Sequence, residues 1–165
     1  MTHEQFIELS TARLAKQAGF DWECPTFYTE TFDYTNQDGT GKFELRRDDN
    51  LRYRNPNDDR NSFVNHKGTL LEYKFEMYSA PTQSVLQRWL REVKSYNIYI
   101  SHTYTVIDCQ IKSIWEVLYE KMSFLKPNST LILEDDLGRS LAFDTYETAL
   151  EAGLKECLSL IINGQ

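Results

Sequence analysis

The sequence predicts an α+β fold in a single domain: a small, mainly antiparallel sheet with three helices packed on it. Three observations predict it. Apolar residues recur at helical spacing, behind capping signals, in three separate stretches. Between them run period-two stretches rich in β-branched and aromatic residues. Finally, 165 residues at 41% hydrophobic and 26% charged, with only seven Gly and four Pro, have the composition of one ordinary globular domain. A chain of this size buries about 70% of its unfolded surface and needs no disulfide or metal staple. No internal repeat and no Ser/Gly linker divides it.

The elements follow in order. Thr2 to Gln5 reads T-x-x-Q, a capping-box pattern, ahead of Ile7, Leu14 and Ala18 on one stripe flanked by Phe6 and Ala15. Gly19 is placed to stop this helix, with Phe20 folding back on it, so a helix is expected over 3–18. Phe27 to Tyr34 is rich in Thr, Phe and Tyr. The turn signal Asn36 to Gly39 then suggests a hairpin with Lys42 to Arg46. From Arg46 to Arg60 the chain reads as a polar loop. Leu71, Tyr73, Phe75 and Met77 alternate with charged residues, the pattern of a half-buried strand.

A second helix is expected over 81–95. Pro81 opens it, Val85, Leu86, Trp89, Leu90 and Val93 form its apolar stripe, and Gln83, Gln87, Arg88, Arg91 and Lys94 take the other face. Residues 98–106 alternate as a strand. Residues 109–125 fit both periods. Ile111, Ile114, Trp115, Leu118, Met122 and Leu125 suit a helix, which periodicity alone slightly favours, while Trp115, Val117 and Tyr119 suit a strand, which is preferred because it gives 97–106 a partner and, in part, because of the resemblance given below. The third helix runs over 145–162. Asp144 and Glu147 form its capping pattern, and Tyr146, Leu150, Leu154, Cys157, Leu158 and Ile161 form its buried stripe. Gly153 on that stripe marks a close approach to another element.

Several activities lack their residues. No G-x-S-x-G, Ser-x-x-Lys, P-loop or G-x-G-x-x-G motif occurs. The three His and three Cys are scattered without metal-ligand spacing, so neither a zinc site nor a disulfide framework is expected, and no cofactor is implied. Cys157 falls on a buried stripe, whereas Cys24, beside Pro25, reads as the exposed thiol. The acidic pairs at 48–49, 58–59 and 135–136 lack EF-hand spacing and read as solvated loops. The first ten residues carry no basic n-region or apolar h-region, and no apolar run approaches a membrane span. A reducing cytoplasm is therefore expected.

Charge and aromatics give the remaining clues. The net charge is −7, which disfavours nucleic acid. Residues 116–156 hold nine acidic and four basic groups, whereas residues 42–60 are nearly balanced. Glu134, Asp135 and Asp136 read as an exposed acidic loop suited to a basic protein partner. Arg88 and Arg91 on the second helix, with Tyr99 and His102 on the following strand, are the residues from which a small-molecule or catalytic site would be assembled. Nine Phe, ten Tyr and three Trp make 13% of the chain, a content that suits half-buried sheets and interfaces alike.

Three blocks carry a resemblance. Lys16 to Asp21, a K-x-x-G-F-D segment, is followed by Cys24 and Pro25. Ala80-Pro81-Thr82 leads into Trp89-Leu90-Arg91-Glu92. Tyr146 to Leu154 reads Y-E-x-A-L-E-A-G-L. In this order the blocks resemble a group of small uncharacterised proteins of phages, prophages and mobile elements in gut-type anaerobic bacteria. The resemblance implies a cytoplasmic accessory protein of such an element and carries over no activity or catalytic residue. The function expected is a non-enzymatic interaction module binding another protein, self-association included. The alternative is a ligand-binding protein or enzyme whose site forms only in three dimensions.

Overall fold

The computed structural model describes residues 4–31, 42–47, 57, 60–66, 69–107, 109–122 and 130–164, and the fold is α+β. Its three helices accompany three small antiparallel sheets among the described residues. The chain divides into two compact units, one over Glu8–Pro81 and one over Met1–Ile7 together with Thr82–Gln165.

The Glu8–Pro81 unit opens with α1 (Leu9–Gln17), followed by β1 (Thr26–Thr31), β2 (Lys42–Arg47), β3 (Arg60–His66), β4 (Thr69–Phe75) and β5 (Met77–Ser79). Helix α1 starts six residues later than its expected first residue. Residues 4–6 are extended instead: the Gln5 carbonyl accepts from the Gln83 N–H (2.9 Å) and Phe6 bridges Thr82. Glu8 is the N-cap, and the capping residue expected at Thr2 lies outside the described residues. The helix end is as expected. Gly19 takes φ 84, its N–H donates to Lys16, and the buried Phe20 donates back to Ala15 (2.9 Å), a Schellman closure. The face of α1 that is buried carries Thr11, Ala12 and Ala15, small side chains that let it lie close to β5.

Strand β1 is the centre of the sheet β2-β1-β5. It pairs with β2 from Thr26↔Arg47 to Thr31↔Lys42, the expected hairpin, whose turn at 36–39 lies outside the described residues. The single strand expected over Leu71–Met77 is split. Strand β4 pairs with β3, and β5 crosses to β1 with Tyr28 opposite Tyr78. A period-two pattern is blind to which neighbour each half pairs with. Most of the loop expected over 46–60 lies outside the described residues. Asn57 within it donates to the Phe20 carbonyl (2.9 Å) and accepts from the Ser79 N–H (2.8 Å), tying the end of α1 to β5.

The other unit holds α2 (Gln83–Val93), β6 (Tyr96–Ile107), β7 (Gln110–Lys121), β8 (Leu131–Ile132) and α3 (Tyr146–Ile162). Helices α2 and α3 share its core, with Leu86, Trp89, Leu90, Leu154, Cys157 and Leu158 fully buried. The ends of α2 differ from expectation. Pro81 precedes the N-cap Thr82, and Val93, in the last turn, is 48% exposed rather than buried. Gln83, expected on the solvent face, is only 4% exposed. Its amide donates to the Glu147 carbonyl (3.1 Å) and to the carboxylate of the equally buried Glu151 (2.8 Å). Each polar group satisfies the other, which removes the cost of burying it.

Residues 110–121 form a strand. Twelve residues of β7 pair in unbroken register with β6, from Tyr96↔Lys121 to Ile107↔Gln110. The helical reading competed because Ile114 and Leu118 occupy the face opposite Trp115, Val117 and Tyr119, so apolar residues fall on both faces. Helix α3 is capped by Thr145, whose hydroxyl accepts from the Thr148 N–H (3.1 Å), rather than by the expected Asp144–Glu147 pair. Tyr146, expected in the stripe, lies 40% exposed at its start. Gly153 faces the sheet, where an added Cβ would sit 2.8 Å from Val117 and 2.9 Å from Ile98. Among the described residues no helix is long and apolar enough to cross a membrane.

Candidate functional site

The longest element pair sets the geometry of the site. On the β6–β7 hairpin, residues two apart share a face. One face begins under α3 with Tyr96, Ile98, Val117 and Tyr119, all buried. It then leaves the helix behind. Trp115 meets the ring of Tyr146 edge-on at 5.7 Å, His102 lies tilted against Trp115 at 4.5 Å, and Tyr104 lies 5.1 Å from His102. His102 Nε2 also shares a hydrogen bond with the Ser113 hydroxyl. The row ends on Tyr104, Val106 and Ile111, which are 67%, 70% and 77% exposed. A core face thus runs out past its cover as an aromatic and aliphatic ribbon.

The opposite face mixes Ile114 and Leu118 with polar groups that bond one another. The Tyr99 hydroxyl donates to Glu120 (2.7 Å), and that bond, more than desolvation, pushes the phenol above its usual range. Asn97 donates to the same carboxylate (3.2 Å), and Ser140 donates to Glu116 (2.9 Å). Tyr99 and His102 are three residues apart on one strand and therefore lie on opposite faces. Arg88 is exposed and paired with Glu92 (2.7 Å), Arg91 is exposed, and Lys94 lies 5.1 Å over the Trp89 ring. The structure does not gather these candidates into one site.

Beyond β8, residues 133–141 form a second small hairpin. Glu134 bridges Ser140 and the Leu141 N–H donates to the Leu133 carbonyl. Asp135 holds its turn, accepting from the N–H groups of Leu137 (2.9 Å) and Arg139 (3.0 Å) and from the Arg139 guanidinium (2.8 Å). These bonds, the Arg139 side chain first, hold its carboxyl below the usual range. Gly138 takes the left-handed φ of 71 this turn needs. Glu134 and Asp136 are exposed. The acidic loop is therefore two outward charges around one structural carboxylate.

A cleft of about 480 Å³ opens beside the start of α2, lined among others by Glu4, Gln83, Gln87, Tyr146 and Glu147. The hydroxyls of Ser84 and Thr82 donate to Glu4 and lower its pKa, with Ser84 the larger influence. Sequence reasoning missed this cleft because Glu4 and Gln83 lie far apart in the chain. Tyr146 belongs to both the cleft rim and the aromatic row. Among the described residues no group of three His, Cys, Asp or Glu could hold a metal ion.

The thiols correct one expectation. Cys24 is buried with its Sγ on the Thr26 carbonyl (3.0 Å), and Cys109 is the exposed one, at a turn φ of 61. Pro25 does face solvent, but its neighbour turns inward at the start of β1. Burial raises the pKa of Cys24 and pushes Cys157 up to about 12. Since the thiolate is the reactive form, brief alkylation of the folded protein is expected to label Cys109 alone and denatured protein all three, read by peptide mass spectrometry. The melting temperature is expected to be the same with and without reductant; a drop on reduction would reveal a disulfide.

No protein-family model matches the chain, and neither does any curated protein or solved structure.

Proposed function

We propose that this chain is a non-enzymatic protein-interaction module, cytoplasmic, serving a phage or mobile element as an accessory protein. The observation that carries the reading is the exposed ribbon His102–Tyr104–Val106–Ile111, continuing from the half-buried Trp115 and mounted on a hairpin whose other end is anchored in the core. Exposed aromatic and aliphatic side chains that are contiguous and rimmed by polar groups mark interaction sites, and Tyr and Trp are the usual anchors. The small-molecule alternative has the cleft at Glu4 and Tyr146, whose volume falls within the ordinary ligand range of about 300–1,000 Å³. Of its walls, however, both Glu4 and Gln83 are already hydrogen-bonded within the protein.

The test is affinity capture with the tagged chain and with a Tyr104→Ser, Val106→Thr, Ile111→Thr variant. The wild type is expected to retain a protein, another species or its own untagged copy, and the variant to lose it at unchanged circular dichroism. A wild type that retains neither overturns the reading.

A further inference from the structure

The outer edge of β6 is the feature left unexplained. On β7, the Val117 carbonyl accepts from Leu133, and Trp115 exchanges two main-chain bonds with Phe143. Residues 115 and 117 thus direct their main-chain groups away from β6. In an antiparallel ladder their partners His102 and Ile100 must direct theirs away from β7, and so, by the period of two, must Ile98, Tyr104 and Val106. The Ile98 carbonyl is taken by the Gln87 amide (3.0 Å). Among the described residues no strand pairs with this edge from Ile100 to Val106. Natural edges are blunted by Lys, Pro, bulges or short length. This one is twelve residues long, pairs without a bulge along β7, and contains no Asp, Glu, Lys, Arg or Pro.

We propose that this edge pairs antiparallel with β6 of a second copy of the chain, about a twofold axis at Thr103, joining two three-stranded sheets into one of six strands. The proposal rests on the interaction reading and names the partner. Two observations select a second copy. The segment is self-complementary: centring 100–106 on Thr103 sets Ile100 against Val106 of the second copy, His102 against its Tyr104, Ser101 against its Thr105, and Thr103 against itself. Aliphatic meets aliphatic, ring meets ring and hydroxyl meets hydroxyl, the cross-strand pairs that stabilise sheets. The segment is also uncharged, so two copies meet there without like-charge repulsion even though each chain carries −7. The taken carbonyl of Ile98 sets the inner limit of the open edge and Val106, the last residue directed outward, sets the outer one; the register centred on Thr103 uses the whole of it. The aromatic ribbon of each copy would continue into that of the other.

The test uses the full chain with Cys109→Ser, so that no other exposed thiol interferes. In this register Thr103 faces its own copy at a non-hydrogen-bonded position, with Cα atoms about 4.5 Å apart, within disulfide reach. Under mild oxidation Thr103→Cys is expected to give a covalent dimer and Ser101→Cys none, because the two Ser101 positions lie about 13 Å apart along the strands. Sedimentation equilibrium is expected to show a dimer for the wild type and, for Thr103→Lys, a dissociation constant raised about tenfold or more by the charges set face to face. A wild-type monomer at high micromolar concentration overturns the pairing. If that monomer still captures another protein, the interaction reading survives; if it captures none, both fail. A dimer that neither cross-links at position 103 nor responds to Thr103→Lys uses another surface and also overturns it.

Discussion

Replacing Trp89 with Ala is expected to cost about 3–5 kcal/mol and to lower the melting temperature by about 10 °C. Trp89 is the largest fully buried side chain among the described residues, at 0% exposure, between Leu86 and Leu90 on the face that α2 turns to the core. Removing the indole leaves a void between α2 and the strand and helix it packs on, β6 and α3. That void cannot collapse without moving two other elements. The Lys94 ammonium, 5.1 Å over the ring, loses its platform as well. Urea unfolding followed by circular dichroism checks the prediction, and an unchanged midpoint would refute it.

The second large effect runs against helix propensity. Gly153→Ala should favour an isolated helix by up to about 1 kcal/mol. In the folded protein the new methyl group would meet Val117 Cγ1 at 2.8 Å and Ile98 Cγ2 at 2.9 Å. Both neighbours are β-branched and buried on paired strands, so neither side chain swings away freely. Overpacking of this kind costs about 1–3 kcal/mol, enough to reverse the propensity gain. A net loss of stability is expected, and the compensating pair Gly153→Ala with Val117→Ala should recover part of the clash term in a double-mutant cycle. A stabilised Gly153→Ala would show that α3 stands off the sheet.

What could be read from the sequence was what depends on near neighbours. The stripe of α3, the Schellman end of α1 and the period-two run of β6 are patterns of residues a few positions apart. The preference for a strand held over 110–121, with 123–125 outside the described residues; it rested on the partner β6 needed and on the resemblance, not on periodicity. What failed depended on distant residues. Nothing local says that Gln5 gives its carbonyl to Gln83 and so keeps residues 4–6 out of α1. Nothing local says that Gln83 turns inward to Glu151. The Asp135–Arg139 turn spans only four positions and was missed for another reason: a run of three acidic residues reads as solvated charge whether or not one of them closes a turn. The separation of Tyr99 from His102 was legible, since three positions along a strand always change face. The aromatic row from Tyr146 to Tyr104 was not, because it joins a helix start to two strands through their register. Charge reversal on the acidic hairpin is accordingly best confined to Glu134 and Asp136, as Asp135→Lys would open the turn.

The bond from Gln83 to Gln5 also bears on the order of events during synthesis. Helix α2 begins without a side-chain cap of its own; its first N–H is satisfied by a carbonyl seventy-eight positions earlier, and Glu4 sits against its first turn. A ribosome releases residues 4–6 long before the helix that needs them exists. Closing a flexible loop of that length costs about 4 kcal/mol of chain entropy, more than the Gln83 main-chain hydrogen bond alone returns at about 1 kcal/mol, so the hydroxyl bonds of Thr82 and Ser84 to Glu4 are needed as well. The opening segment therefore has no reason to dock early. It is a latecomer, seated only after Thr82 and Ser84 have emerged.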